Sequence, residues 1–369
     1  MKNKQVVILG LIFVLLCGCA QYDVVIRNGN VYDGTGTQPV VADVAIKGDK
    51  IVRVARNFPG KGKIEIDANG LAVSPGFINM LSWATTSLIA DGRSLSDIKQ
   101  GVTLEVFGEG WSMGPLNKKM RRQQLADMTE FKYEIDWTTL GEYLESLENR
   151  GISTNVASFV GATTVRIHEI GFDDRPPTEG ELENMKSLVR RAMEDGALGV
   201  GSSLIYAPAF YSSTEELIEL CKIASEYDGM YISHMRSESN RFLESLDELI
   251  TISEKANIPA EIYHLKAGGI PNHYKMDLAI EKINNARDRG LNITTDMYLY
   301  VAGATGLNAH MPPWVQEGGY DKWAERLKDP EIRKRVKQEM ITDTDDWENL
   351  GFLAGPEGVL FSGFKNPDL

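Results

Sequence analysis

The stretch from Met230 to Gly269 constrains the fold of this chain more than any other. Two short β-like runs, Met230–Ser233 and Ala260–Tyr263, flank a segment with apolar residues at mostly helical spacing, which predicts a strand–helix–strand unit. The apolar residues of that helix are Phe242, Leu243, Leu246, Leu249, Ile250 and Ile252. Two parallel strands joined by one helix end at the same edge of a sheet. His234 and His264, which follow the two runs, are therefore expected to lie close together.

Two histidines at the ends of neighbouring strands predict a metal site. Imidazole is the commonest metal ligand, and β/α barrels carry their active sites at the C-terminal edge of the strands. The alternative is a pair of hydrogen-bonded core histidines. Each histidine is followed two residues later by a cation, Arg236 in one case and Lys266 in the other. This repetition at matched positions favours the metal site.

Short apolar runs alternate with helical runs over most of the chain. The expected strands are Gly76–Leu81, Thr103–Gly108, Asn155–Val160, Leu198–Ser202, Met230–Ser233, Ala260–Tyr263 and Asn292–Asp296. The expected helices include Leu95–Gln100, Leu140–Asn149, Thr178–Asp195, Thr214–Tyr227, Lys275–Asp288 and a long polar segment, Tyr320–Thr342. The alternation predicts an α/β fold, a TIM-like (β/α)8 barrel with seven recognisable strands, and an eighth strand that the sequence does not reach. A chain of 369 residues suits such a barrel of about 250 residues with additions.

A different pattern precedes the barrel. From Tyr22 to Ala72, short alternating runs are separated by turn signals. Asn28-Gly29 and Lys47-Gly48-Asp49 are typical of hairpin turns. This part of the chain is therefore expected to form a small antiparallel sheet.

Residues 1–19 resemble the signal peptide of a bacterial lipoprotein. Lys2 and Lys4 give a positively charged N-terminus. Val6–Leu16 is an apolar stretch that is shorter than a typical transmembrane helix. Leu16-Cys17-Gly18-Cys19 is similar to the lipobox motif. The resemblance implies cleavage before Cys19 and lipidation of that cysteine. It therefore implies a lipid-anchored protein of the bacterial cell envelope, facing the periplasm or the outside, with the membrane as a partner.

The net charge bears on nucleic acid as a partner, and the number of cysteines bears on disulfide bonds. The formal net charge is −13, which argues against nucleic acid because binding it requires a basic surface. Of the three cysteines, only Cys221 lies after the signal segment, so no intrachain disulfide is expected.

Three motifs occur in the first part of the chain: Asp23–Gly34, Pro75-Gly76-Phe77-Ile78 and Gly101-Val102-Thr103. Together they resemble motifs of the amidohydrolase superfamily. A second set narrows the resemblance to the D-aminoacylase, or N-acyl-D-amino-acid deacylase, family: Gly196–Ser202, His234-Met235-Arg236, His264-Leu265-Lys266 and the run MPPWVQEGG that starts at Met311. The resemblance implies a TIM-like barrel flanked by a β-sandwich. With the signal peptide at 1–19, it assigns 20–74 to part of the sandwich and 75–369 to a barrel truncated before its last strand.

The sequence departs from the family at its first metal-binding motif. The family carries His-x-His after Pro-Gly-Phe-Ile-Asp, where this chain has Leu81 and Trp83, neither of which can ligate a metal. The family's bridging cysteine is replaced by Gly108-Glu109-Gly110, a segment one residue shorter. A carboxylate can replace a thiolate as a zinc ligand. Glu109 with His234 and His264 would then form a His2Glu site for one zinc ion.

The resemblance also assigns substrate contacts and a general base. Lys266 matches the family's position for binding the substrate carboxylate, and Tyr298 matches a residue that assists. Arg236 is a third candidate for substrate contact, with an ion pair to Glu238 as its structural alternative. The family's general base is an aspartate at the end of the eighth strand, which is expected beyond Leu369.

The implied reaction is hydrolysis of an N-acyl-D-amino acid to a D-amino acid and a carboxylate, with zinc activating water and polarising the carbonyl. Two alternatives stay open. One is a cyclic amidase of the dihydroorotase or hydantoinase type, although the His-x-His and carboxylated lysine of those enzymes are not evident. The other is a catalytically inactive, lipid-anchored binding protein that keeps the barrel. The lost His-x-His favours this second alternative, and the retained strand-end histidines oppose it.

Overall fold

The structure, a computed structural model, describes residues 21–128 and 131–363. The chain divides between Phe77 and Ile78 into two compact units. The expected signal peptide, including Cys19, lies outside the described residues. Within the described ranges, no helix is long and apolar enough to cross a membrane.

The first unit contains one five-stranded mixed sheet. Its strands are β1 (Tyr22–Val31), β2 (Val40–Lys47), β3 (Lys50–Ala55), β4 (Gly62–Asp67) and β5 (Ala72–Val73). The order is β3-β2-β1-β4, with β5 also beside β1. β1, β2 and β3 pair antiparallel, as expected, whereas β4 and β5 pair parallel to β1. The prediction of a wholly antiparallel sheet is wrong because the chain crosses from β3 to the far side of β1 instead of forming another hairpin.

One of the two expected hairpin turns is a β-bulge. Asn28-Gly29 lies inside β1, and the register of β1 against β2 shifts between Ile26 and Gly29. Asn28 has a φ of 59°, a conformation that asparagine tolerates better than most residues. The Asn-Gly sequence, which is typical of hairpin turns, therefore forms a β-bulge here. The second signal is a turn, because Lys47 pairs directly with Lys50 across Gly48 and Asp49.

The strands of the second unit follow one another in sequence order, as in a β/α barrel. They are β6 (Phe77–Asn79), β7 (Val102–Phe107), β8 (Asn155–Ser158), β9 (Val160–Gly161), β10 (Gly199–Ser203), β11 (Met230–His234), β12 (Ala260–Ile262) and β13 (Ile293–Thr295). The hydrogen-bonded orders are β6-β7-β8 and β9-β10-β11-β12-β13. The strand pairs β7–β8, β9–β10, β10–β11, β11–β12 and β12–β13 are all parallel. Only Phe159 separates β8 from β9, so the described strands occupy seven consecutive positions, where the sequence predicts them.

Helices connect and follow these strands. They are α1 (Ser87–Ala90), α2 (Leu95–Ile98), α3 (Lys118–Asp127), α4 (Leu140–Arg150), α5 (Ala162–Glu169), α6 (Glu179–Glu194), α7 (Thr214–Ser225), α8 (Phe242–Ala256), α9 (Lys275–Asp288), α10 (Pro313–Gln316), α11 (Tyr320–Arg326), α12 (Pro330–Met340) and α13 (Leu350–Ala354). The expected long helix over 320–342 is two helices, α11 and α12. The break falls at Asp329 and Pro330, where the Asp329 side chain accepts hydrogen bonds from the first amides of α12.

Helix α8 shows how the sequence pattern becomes packing. Phe242, Leu246, Leu249 and Ile252 recur on one face and are buried in the main hydrophobic core of the second unit. This burial packs α8, which connects β11 to β12 in sequence, against the core. The two strands consequently end side by side, with Ser233 paired to Ile262, and bring the following residues to one edge of the sheet.

Candidate metal centre

Three buried side chains meet at the C-terminal edge of the strands of the second unit. Glu109 follows β7, His234 ends β11, and His264 lies two residues after β12. One ligand atom from each lies within 4.8 Å of the others. His234 Nδ1 is 3.0 Å and His264 Nε2 is 3.3 Å from Glu109 Oε1. The structure thus brings together the three residues that the sequence and the family resemblance single out as ligands.

The backbone around Glu109 is shaped by two glycines. Gly108 has a φ of 109° and Gly110 a φ of 72°, both in the region that favours glycine. A Cβ at Gly108 would collide with the backbone of Phe159, and one at Gly110 would collide with Ser203. The Gly108-Glu109-Gly110 sequence therefore lets the chain turn sharply against the next strands and present one carboxylate.

His264 itself has an unusual backbone conformation. Its φ is 37°, which is uncommon for a residue with a Cβ and costs free energy that the surroundings must offset. Asp296, directly after β13, supplies that support. Its Oδ1 accepts a hydrogen bond of 2.6 Å from the amide of His264, and its carbonyl accepts one of 3.0 Å from the amide of Leu265. The imidazole is thereby anchored to the neighbouring strand end.

The two residues that replace the family's His-x-His have other roles. Leu81 packs against the cluster of buried residues Val106, Phe159, Ile232 and Tyr263. Trp83 donates a hydrogen bond of 3.0 Å from its indole nitrogen to Glu109 Oε2. One oxygen of Glu109 therefore contacts the indole while the other faces both histidines.

The electrostatics of the site fit a metal ligand set. Burial opposes ionisation of Glu109, but its hydrogen bonds with His234 and His264 lower its pKa to about 2. For His264, burial disfavours the charged ring, but Glu109 and Glu238 together raise its pKa to about 9. Without a metal, positive charge on the His264 ring balances the carboxylates. A divalent cation would supply that charge in place of a proton.

The donor set and the burial fit zinc. Two imidazole nitrogens and one carboxylate oxygen are the ligands of a catalytic zinc site, in which one further position stays open. Within residues 21–128 and 131–363, His234 Nε2 is a buried polar atom without a hydrogen-bond partner. Because an imidazole of this kind is costly to bury unpaired, the geometry is that of a site which is completed on binding.

The predicted substrate-contacting residues fall into two groups. Lys266 Nζ lies 2.6 Å from Glu238 Oε2 and 5.7 Å from the centre of the Tyr298 ring, and that ring is 6.2 Å from the His264 ring. Lys266 and Tyr298 therefore border the site. Arg236 points elsewhere.

Arg236 is engaged in structural contacts. Its guanidinium pairs with Glu248 at 2.8 Å and donates to the carbonyls of Phe210 and Ser212. All three of its nitrogens have acceptors, which favours a structural role over substrate contact. The sequence predicts Glu238 as the structural ion-pair partner of Arg236. That prediction is wrong, because the ion pair is formed with Glu248 on α8.

Sequence reasoning did not find the second carboxylate of the site. Glu238 is 5% exposed and lies between the two histidines and Lys266. Burial opposes its ionisation, but the surrounding positive charges lower its pKa to about 2. The only signal in the sequence was that Glu238 lies four residues after His234. This spacing brings side chains together on a helix, but Glu238 lies in the loop after β11.

The fold and the site together define a β/α-barrel protein with a candidate His2Glu metal centre at the strand ends. No protein-family model matches the chain. It is 31% identical over 290 residues to a D-aminoacylase of Alcaligenes xylosoxydans xylosoxydans, a match covering 78% of this chain and 59% of that relative. An N-acyl-D-aspartate deacylase of the same organism is 29% identical, with 78% and 58% covered.

Solved structures agree with these relatives. A crystal structure of D-aminoacylase superposes with a TM-score of 0.68 at 31% identity, covering 76% of this chain and 59% of that one. The N-acyl-D-glutamate deacylase of Bordetella bronchiseptica gives a TM-score of 0.67 at 24% identity, which bears on the fold alone. The chain is a homologue of the D-aminoacylases and N-acyl-D-amino-acid deacylases of the amidohydrolase superfamily. It spans somewhat less than three fifths of the length of these relatives.

Proposed function

We propose that the protein containing this chain hydrolyses the amide bond of N-acyl-D-amino acids and uses one zinc ion per chain. The observation that carries the proposal is the convergence of Glu109, His234 and His264 within 4.8 Å at the strand ends of a fold shared with D-aminoacylase. A site with three protein ligands is suited to hydrolysis, because one coordination position is left for water or substrate.

Zinc held by these residues would supply Lewis acidity, which lowers the pKa of water to about 7 and polarises an amide carbonyl. The chain's own contribution is to bury the three donors and fix their directions through Trp83 and Asp296. One metal per chain is consistent with Leu81 and Trp83 in place of two histidines. A D-aminoacylase with a binuclear centre is described as activated by one metal and attenuated by a second.

Lys266 and Tyr298 support the choice of an acidic small molecule as substrate. The ammonium of Lys266 lies beside the site and its side chain is 27% exposed, so a substrate carboxylate can reach it. The relatives are named for N-acyl-D-amino acids, which carry such a carboxylate next to the scissile amide. We assign the general base to no residue of this chain.

The test is metal content and turnover of the protein as the organism makes it. Elemental analysis should find one zinc per chain, and N-acetyl-D-amino acids should be hydrolysed faster than their L-enantiomers. His234→Ala should remove both zinc and activity, whereas His273→Ala, which alters an exposed histidine outside the site, should change neither. Zinc-independent turnover, or zinc retained by His234→Ala, would contradict the proposal.

We also propose that the mature protein is lipid-anchored in the bacterial cell envelope. The support is the sequence of residues 1–19, with its positive start, apolar stretch and Leu-Cys-Gly-Cys junction. Mass spectrometry of the membrane fraction should find Cys19 acylated at the new N-terminus. An unmodified Met1 on protein from the soluble fraction would refute it.

A further inference from the structure

Helix α3 (Lys118–Asp127) concentrates positive charge in an otherwise acidic chain. Its first five residues include four cations, Lys118, Lys119, Arg121 and Arg122, all of them exposed. Its one acid is Asp127, so the helix carries a net charge of +3 in a chain of net charge −13. Three of the cations and Leu125 line a shallow groove of about 320 Å³. Their spacing of i, i+3, i+4 and i+7 puts these four residues on one face of the helix.

The cations of α3 have no carboxylate partners. Within residues 21–128 and 131–363, none of the four forms an ion pair. Every lysine and arginine of residues 162–194, by contrast, pairs with an acid; they are Arg166, Arg175, Lys186, Arg190 and Arg191. Because the charge of α3 is not neutralised by the chain itself, this face attracts anions from outside it.

The opposite face of α3 is fixed to the second unit. Met120 is buried in the main hydrophobic core of that unit. The side-chain oxygen of Asn117 accepts hydrogen bonds of 2.9 Å from the amides of Lys119 and Met120. The side-chain nitrogen of Asn117 donates one of 2.9 Å to the carbonyl of His168, in the last turn of α5. The cationic face is therefore held outward on an anchored helix.

This attachment places α3 away from the candidate metal centre. Helix α5 (Ala162–Glu169) begins directly after β9, at the edge of the strands where the metal centre lies, and runs back against the sheet. Its eight residues span about 12 Å along the helix axis, so its last turn is distant from that edge. A partner bound to α3 would leave the metal centre open to substrate.

We propose that the cationic face of α3 docks on a membrane surface that contains anionic phospholipids. A helix with clustered lysine and arginine and with exposed apolar residues beside them is typical of helices that lie at a membrane interface. The apolar residues are Leu125 and, four residues after the helix, Phe131, whose exposures are 44% and 42%. The cations contact lipid phosphates, and the apolar side chains enter the boundary of the acyl region. This docking goes beyond the proposed hydrolysis and does not depend on it.

An anionic membrane fits this face better than a nucleic acid does. The ten residues of α3 span about 15 Å and can neutralise few phosphates, whereas nucleic acid binding requires many such contacts. The net charge of −13 opposes the wrapping of a long polyanion around the rest of the surface. A lipid anchor at Cys19, proposed above, would hold the chain beside a bilayer, and α3 would then select which side of the second unit meets it.

The first test measures which lysines a membrane covers. The full chain is mixed with phosphatidylcholine vesicles, with or without phosphatidylglycerol, and treated with a water-soluble acetylating reagent. Mass spectrometry follows each lysine. We expect Lys118 and Lys119 to react several times more slowly on vesicles with phosphatidylglycerol, and Lys334 and Lys337 of α12 to react equally on both. Residues 1–19 are the same in both samples, so the comparison does not depend on the anchor.

Two outcomes of this test would overturn the proposal. Equal reaction of Lys118 and Lys119 on the two kinds of vesicle would show that α3 does not contact anionic lipid. Equal protection of both lysines by a DNA duplex at the same salt concentration would show a general polyanion surface and not a lipid surface.

The second test removes the charge of the groove. The variant combines Lys118→Gln, Arg121→Gln and Arg122→Gln, and glutamine keeps the helix propensity of the residues it replaces. Each cation at an anionic membrane surface contributes about fivefold to the partition coefficient. Binding to phosphatidylglycerol vesicles, relative to phosphatidylcholine vesicles, should therefore fall by about 100-fold. If this variant fails to fold, Arg121→Gln alone decides, with an expected loss of about fivefold.

The matched control removes three exposed cations from α12. It combines Arg333→Gln, Lys334→Gln and Lys337→Gln, on a helix where the acids Glu331 and Glu339 lie among the cations. We expect the relative binding of this control to change far less than that of the α3 variant. Equal losses in the two variants would show general attraction by any cation of the chain and would overturn the assignment to α3, as would wild-type binding by the α3 variant.

Discussion

Trp83 lies at a position where a second metal would need a ligand. Its indole N–H donates to the Glu109 oxygen that faces away from the histidines, and Leu81 fills the barrel interior nearby. A second metal would need donors at these two positions. The indole nitrogen and the leucine side chain supply none.

Restoring histidines at both positions should therefore raise the metal content. We predict that Leu81→His combined with Trp83→His increases bound zinc from the one proposed ion to two ions per chain, because one imidazole would replace the indole beside the second oxygen of Glu109 and a second nitrogen donor would replace Leu81. Leu81→Ala with Trp83→Ala is the control and should stay at one. Elemental analysis after dialysis distinguishes them. A double-histidine variant that still holds one zinc would show that other residues limit the site.

At the scale of elements, the segment around Glu348 ties the end of the described chain to the loop after β11. Glu348, just before α13, accepts hydrogen bonds from Ser237, Ser239 and the amide of Glu238. Asn240 adds a bond of 2.9 Å to Asp343. Glu348→Ala would leave buried donors without an acceptor, which costs about 1–3 kcal/mol of unfolding free energy.

The pKa of Glu348 gives this contact a pH dependence. Burial, together with the nearby charge of Glu238, raises the pKa of Glu348 above its ordinary value. A carboxyl group with a raised pKa in the folded state stabilises the fold below its unfolded pKa of about 4.3 and loses that contribution as pH rises through the folded pKa. Glutamine cannot titrate.

We therefore predict that the unfolding free energy of the wild type, relative to Glu348→Gln, declines as pH rises from about 4 to 7. Denaturant titrations of the metal-free proteins measure the difference, and other titrating groups cancel between them. Glu357→Gln, which changes an exposed carboxylate nearby, should show no such trend. A difference that stays constant with pH would mean that Glu348 has an ordinary pKa.

The elements of the barrel could be predicted from the sequence, but the supporting contacts of the site could not. Strands such as β11 and β12 are short apolar runs bounded by a helix of clear periodicity, and local pattern suffices for them. Glu109 could be named only through the family resemblance. Glu238 and Glu348 form contacts across about 110 residues, and nothing in the local sequence reports such a distance. The prediction of a hairpin turn at Asn28-Gly29 was wrong for a related reason, because bulges and turns favour the same residue types.

At the scale of the whole molecule, a metal bound only by the folded state couples the site to stability. The three proposed ligands lie at or just after the ends of β7, β11 and β12, which are far apart in sequence, so unfolding must destroy the site. Zinc at a hundred times its dissociation constant would add about 2.7 kcal/mol to the free energy of unfolding.

We predict that zinc raises the melting temperature of the second unit by about 5 °C under these conditions, and that a chelator reverses the shift. All six tryptophans, Trp83, Trp111, Trp137, Trp314, Trp323 and Trp347, lie in that unit, so intrinsic fluorescence reports its unfolding. His234→Ala should melt at the same temperature with and without zinc, because the site has lost a ligand. An equal zinc-dependent shift in His234→Ala would mean that the ion stabilises the protein from some other place.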